Sequence, residues 1–289
     1  MRGGRMPTIE ILESYLHYSD TGDGRPIVFL HGNPASSYMW RHVLPAVGPA
    51  RLLAPDLIGM GGSGKPDIAY QLADHASYLD AWFDALGLDD VTLVGHDWGG
   101  ALAFDWASRH PDRVRGIAFF ESIVKPLAAE DLSAQALERR RTILSEKGEA
   151  LVLGTDFFTR TAYTGGVLDP LDEDQLAVYL EPFPTPETRI PVLAWARQIP
   201  VGGEPAAVIE RIEAYDAWLA SSPEVPKLLL TFDGSPTLLI DEQTARWCRE
   251  NIAGLETVHV GSAGHHAGED RPKEIGVAID AWLERRGLR

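Results

Sequence analysis

Val94-Gly95-His96-Asp97-Trp98-Gly99-Gly100 is the stretch that decides how this chain folds. A short apolar run, Val91 to Val94, leads into it, and a helical pattern, Ala101 to Arg109, leads out. The reading is a strand, a sharp turn and a helix, with a charged side chain at the apex. This is the spacing of a nucleophile elbow, with aspartate where such turns usually carry serine. The exchange selects the chemistry. A serine alkylated at carbon becomes an ether, which water does not readily cleave. An aspartate alkylated at carbon becomes an ester, open to attack at its carbonyl. Asp97 therefore suits displacement at saturated carbon followed by hydrolysis. An aspartate here could also be a plain helix N-cap, so the elbow needs partners.

Working outward, β-type runs recur at Thr8 to Leu12, Ser14 to Tyr18, Pro26 to Leu30, Arg51 to Pro55, Val91 to Val94, Val114 to Phe120, Lys227 to Thr231 and Glu256 to Val260. The first two read as a hairpin. The later ones are continuous and apolar, as in parallel strands covered on both faces. Helical patterns such as His75 to Leu86 fall between most of them, which predicts a doubly wound α/β fold with a mostly parallel eight-stranded sheet. The alternation stops between about Val124 and Glu204. That segment is charged and helical in texture (Ala128 to Leu153, Asp172 to Leu180), with prolines at 182, 184, 186, 191 and 200. The expectation is a helical cap, 124–204, inserted after the sixth strand into a core made of 1–123 and 205–289. Two independent domains are the alternative, disfavoured because strand signals resume at Lys227.

Composition narrows the partners. The 289 residues are 45% hydrophobic and 24% charged, with a formal net charge of -16, so nucleic acid and anionic membranes would be repelled. The one cysteine, Cys248, allows no internal disulfide and no cysteine metal cluster. Met1 to Met6 carries Arg2 and Arg5 with no apolar stretch behind it, unlike a secretory signal. The expectation is a cytoplasmic protein, a monomer or weak homo-oligomer, acting on a small molecule.

Three further segments supply partners for Asp97. His31-Gly32-Asn33-Pro34 follows the strand ending at Leu30. The loop at this place carries one backbone N–H of an oxyanion hole, and the residue after the nucleophile carries the other. Those positions are Asn33 and Trp98, whose side chains are both neutral N–H donors. Such a pair suits an anion that needs no proton, such as a departing halide. Gly264-His265-His266 follows the last strand, where the base belongs in chain order; His265 is preferred and His266 is its neighbour. The base needs a carboxylate to orient it. The loop after Lys227 to Thr231 has none at its centre, so Glu121, at the end of Val114 to Phe120, is preferred, with Asp241 as competitor.

On these residues the chain resembles the haloalkane dehalogenases of the α/β-hydrolase fold along nearly its whole length. The similarity is carried by His31-Gly32-Asn33-Pro34-Ala35-Ser36-Ser37-Tyr38, Ala54-Pro55-Asp56-Leu57-Ile58-Gly59-Met60-Gly61, His96-Asp97-Trp98-Gly99, Gly203-Glu204-Pro205 and Glu269-Asp270. The resemblance implies a triad of Asp97, His265 and Glu121 and a halide site at Asn33 and Trp98. It also implies Phe158 and Trp195 as aromatic pocket residues, and a reaction without metal or organic cofactor. Haloalkane and water would become a primary alcohol and a halide ion through an alkyl-aspartyl ester. Ala196, the lack of tryptophan in Pro126 to Ser145, and His266 depart from the family pattern. The chain is also similar to coelenterazine luciferases, through Tyr179-Leu180-Glu181-Pro182-Phe183 and Glu121-Ser122. Epoxide hydrolase is a further alternative, with Tyr163 and Tyr179 as proton donors; Asn33 argues against it, an aromatic being usual there. A receptor that keeps the fold would be expected to have lost a catalytic position.

Overall fold

The computed structural model describes residues 6–289, so most of the Met1 to Met6 segment lies outside the described residues. The described residues form one eight-stranded sheet in the order β1-β2-β4-β3-β5-β6-β7-β8. Its strands are β1 (Thr8–Ile11), β2 (Ser14–Thr21), β3 (Pro26–Leu30), β4 (Arg51–Pro55), β5 (Val91–His96), β6 (Val114–Phe120), β7 (Lys227–Asp233) and β8 (Leu255–Ser262). The first two are the antiparallel hairpin read from sequence, β2 also pairs antiparallel with β4, and the other five pairs, from β4–β3 to β7–β8, are parallel.

Period-two alternation sends each central strand to two cores. Val28 and Leu30 enter one apolar layer, while Ile27 and Phe29 enter the other. In β6 the division is Ile117 and Phe119 against Ala118 and Phe120. Both faces are thus covered, which is why these strands read as unbroken apolar runs. Helices α1 (Leu72–Ala85) and α2 (Trp98–Arg109) pack on the first face. The chain places β4 on one side of β3 and β5 on the other, a reversal of direction. Ligands of such sheets bind beyond the carboxyl ends of the strands at this point. Asn33 leaves β3 here and Asp97 leaves β5.

Between β6 and β7 the chain forms α3 (Ala134–Leu144), α4 (Glu146–Gly154), α5 (Phe157–Gly165), α6 (Glu173–Leu180), α7 (Ile190–Arg197) and α8 (Ala206–Ser221). The single helical stretch expected from Ala128 to Leu153 is broken at Ser145. Its hydroxyl caps α4 by accepting the Gly148 N–H, and a Cβ on Gly148 would come 2.0 Å from the Thr142 carbonyl oxygen. Proline density hid α7, where Pro191 sits in the first turn, a position that needs no N–H. The strand-free segment leaves and returns at one neck, with Leu127 bridged to Val201. Helices α9 (Glu242–Asn251), α10 (Ala267–Asp270) and α11 (Pro272–Arg286) complete the chain. Among the described residues no helix is long and apolar enough to cross a membrane.

Candidate active site

Asp97 sits between β5 and α2 at φ 53 and ψ -125, a region that residues with a Cβ rarely occupy. Only close packing holds it there. A Cβ on Gly95 would lie 2.5 Å from the Gly100 Cα, and one on Gly99 would lie 2.1 Å from the Leu30 carbonyl oxygen. The glycines of the elbow are therefore what lets α2 start so close to the sheet. Glu121, at the end of β6, is also at positive φ, 47°. Strain of this kind collects where a side chain must be aimed. Asp97 and Glu121, two of the three triad candidates read from the sequence, are both held in this way.

The loop after β3 closes on the Asp97 carboxylate. The Asn33 N–H donates to Asp97 Oδ2 at 2.9 Å. Gly32 passes so near that a Cβ there would be 2.3 Å from the same oxygen. His31, wholly buried, braces the loop: Nδ1 donates to the Gly32 carbonyl (2.9 Å) and Nε2 accepts the Leu57 N–H (2.9 Å). That N–H can only donate, which fixes the neutral tautomer. The Asn33 amide donates to the Val192 carbonyl of α7 at 3.1 Å. The amide nitrogen carries a second N–H, for which no acceptor is found among the described residues. Trp98 is buried with its ring 4.6 Å from that of Trp195, which stacks in turn on His75 at 4.0 Å. Trp195 thus backs the Trp98 indole, and Phe158 packs partly buried against the same cluster.

His265 lies across from Asp97. Its Nε2 is 3.9 Å from Asp97 Oδ1 and its Nδ1 3.1 Å from Glu121 Oε2. His266 makes no contact of this kind; its ring packs on Tyr163 at 4.6 Å. Glu121 is almost wholly buried and accepts the N–H groups of Leu239 (2.6 Å) and Ile240 (3.2 Å). Asp241, the competing acid, instead caps α9 by accepting the Thr244 N–H at 2.8 Å. The loop after β7 therefore supplies backbone donors to the acid rather than the acid itself.

The charges are coupled. Burial raises the Asp97 pKa, and the nearby His265 and the N–H groups of Asn33 and Trp98 only partly offset it. Burial would lower the His265 pKa, but the hydrogen bond to Glu121 and the charges of Asp97 and Glu121 outweigh it, so the net shift is upward. The free site is thus a carboxylate of reinforced basicity beside an imidazole that binds its proton more tightly than usual.

Several positioning residues escaped the sequence reading. His96 was quoted as part of the elbow and given no role; its Nε2 donates to the His265 carbonyl at 2.8 Å, and so steadies the histidine loop. Asp270 accepts from Gly264 N–H (2.7 Å) and Leu168 N–H (2.9 Å), joining that loop to the inserted helices. Glu269 takes a bidentate pair from Arg41, both bonds 2.7 Å, and the Tyr179 hydroxyl of α6. Tyr179 is therefore spent on an anchor. Gln198, after α7, accepts from Leu72 N–H (2.7 Å) and donates to the Tyr70 carbonyl (2.9 Å). No local pattern marks such contacts, which join residues far apart in sequence.

The chain matches the alpha/beta hydrolase fold family over residues 25–272. It is 44% identical to a haloalkane dehalogenase of Agrobacterium fabrum over 272 residues, covering 93% of this chain and 88% of that protein. The crystal structure of the haloalkane dehalogenase DatA from Agrobacterium tumefaciens superposes with a TM-score of 0.92 at 42% identity, covering 97% of this chain and 96% of that one. The chain belongs to the haloalkane dehalogenase family. A coelenterazine h 2-monooxygenase of Renilla reniformis is also similar, 37% identical over 97% of this chain and 91% of that protein. The dehalogenase family and the luciferase likeness were both read from the motifs, and both are found. The mostly parallel α/β-hydrolase sheet agrees with the sequence reading as well.

Proposed function

We propose that this dehalogenase hydrolyses haloalkanes to an alcohol and a halide ion through an ester on Asp97. The observation that carries the reading is the paired placement of Asp97, with one oxygen bonded to the Asn33 N–H and the other 3.9 Å from His265 Nε2. Oδ1, the oxygen without a backbone donor, attacks the carbon bearing the halogen. The carbon–halogen bond breaks as the carbon–oxygen bond forms, and the free Asn33 amide N–H and the Trp98 indole receive the halide. The oxygen bonded to the Asn33 N–H becomes the ester carbonyl, already seated in its oxyanion hole. Alkylation removes the Asp97 charge and with it one cause of the raised His265 pKa. The imidazole is thereby freed to take a proton from water as that water attacks the ester, while Glu121 balances the imidazolium. No residue of the scheme requires a metal or an organic cofactor.

The segment 124–204 acts in this proposal as the cap that excludes water and sets substrate width, held by the Tyr179–Glu269–Arg41 and Gln198 anchors. We further propose a cytoplasmic setting, from the composition alone. The test is halide release from 1,2-dibromoethane and 1-bromobutane, run beside an epoxide and coelenterazine. Halide from the bromoalkanes is the expected result; light or diol with no halide would replace the proposal by the luciferase or epoxide reading.

The pH dependence follows from the sign of the His265 shift. The base works only when neutral, so activity falls as pH drops through a pKa above the ordinary histidine value of about 6.5. In single-turnover work the limb of the hydrolysis step lies at lower pH than that of the free enzyme, since the ester carries no charge. Glu121→Gln removes a second raising cause. It is expected to move the acid limb down in pH and slow turnover about 10²–10⁴-fold. An unmoved limb would show Glu121 to be structural only.

A further inference from the structure

Behind Asp97 lies a group of three imidazoles. His96, His265 and His266 each place one ring nitrogen within 4.8 Å of the other two. His96 is wholly buried and its Nε2 faces a carbonyl oxygen, which can only accept, so Nε2 carries the proton. His96 Nδ1 is then a bare lone pair, buried and without a partner among the described residues. An unpaired buried acceptor is costly unless something meets it. His265 gives its Nδ1–H to Glu121 and keeps a lone pair on Nε2. His266 is 4% exposed, with its ring 5.0 Å from that of His265 and 5.7 Å from that of His96.

Three nitrogen donors suit a borderline dication rather than a hard one. Charge is provided for as well, since the Asp97 and Glu121 carboxylates flank His265 at 3.9 and 3.1 Å. We propose that His96, His265 and His266 form a binding site for a single transition-metal dication of the zinc, nickel or copper class, and that its occupation inhibits the enzyme. Metal–nitrogen bonds of about 2.0–2.1 Å in a tetrahedral site set the nitrogens about 3.4 Å apart, so the rings draw together by about 1 Å. The ion takes the lone pair that His265 needs as a base, or displaces Glu121 from its other nitrogen. Either way the second half of the reaction stops. Asp97 stays free to be alkylated, and the reaction halts at the ester.

The experiment uses zinc alone on the purified chain and on His266→Phe, whose ring fills the same space against Tyr163. Equilibrium dialysis, which does not depend on any reaction, should find a zinc ion per wild-type chain that the variant lacks. At about 100 μM zinc the wild-type turnover should fall more than tenfold, recover with EDTA, and retain a burst of about one halide per chain. The variant should turn over at the wild-type rate and ignore zinc. Equal zinc binding or equal inhibition in His266→Phe would overturn the proposal, as would a wild-type chain that binds no zinc. Loss of the burst would place the ion on Asp97 and overturn it too.

Discussion

His265→Phe is expected to release about one halide per chain and then stop, with turnover reduced by about 10³-fold or more. Phenylalanine fills the ring volume but cannot take a proton from water. Asp97 and its oxyanion donors are untouched, so the displacement still runs once. The ester then persists, and the intact protein mass should rise by that of the alkyl group. The same measurement on Asp97→Ala should show neither halide nor added mass. Continued turnover of His265→Phe would remove His265 from its role as base.

Gly32→Ala is expected to cut activity about 10²–10³-fold while leaving the fold intact. Gly32 is not at a positive φ, so alanine is acceptable to the backbone. Space is what forbids it. The added Cβ would lie 2.3 Å from Asp97 Oδ2 and 2.5 Å from Asp97 Cβ, and these with Asp97 Cγ are its nearest neighbours. Relief therefore comes by moving the nucleophile or the loop that carries the Asn33 N–H. A thermal melt within a few degrees of wild type, combined with the loss in kcat, is the expected pair of results. Unchanged kcat would mean that the position of Asp97 relative to Asn33 does not matter to the reaction.

The sheet was legible because its central strands are buried on both faces and so stand out as apolar runs. Boundaries moved by a few residues where a strand continues into the site: β5 runs on through Gly95 and His96, which no apolar pattern marks. Helix α5 and helix α7 were not legible, since amphipathic stripes and prolines inside the inserted segment obey its packing on the core rather than a clear local period. The elbow was legible because glycines bracket a charged residue wherever a helix must begin against a strand.

The sequence preferred Glu121 to Asp241 and His265 to His266 by place along the chain, and the contacts behind those preferences are of another kind. Glu121 and Asp241 are both carboxylates near a strand end. Tertiary structure divides them: Glu121 is buried against His265 and two backbone donors, and Asp241 is used at an exposed helix start. His265 and His266 are adjacent in the chain, yet only one faces both carboxylates. The sequence alone determined the α/β fold, the aspartate at the elbow and the loops that would meet it, because spacing along one strand–turn–helix unit is a local property. The tertiary structure alone decided how near His265 and Glu121 come to Asp97 and to each other, how His96 and Asp270 hold the histidine loop, and how near Gly32 runs to the carboxylate. Those are distances between residues up to 169 positions apart, and they are set by how two apolar layers close on a shared sheet.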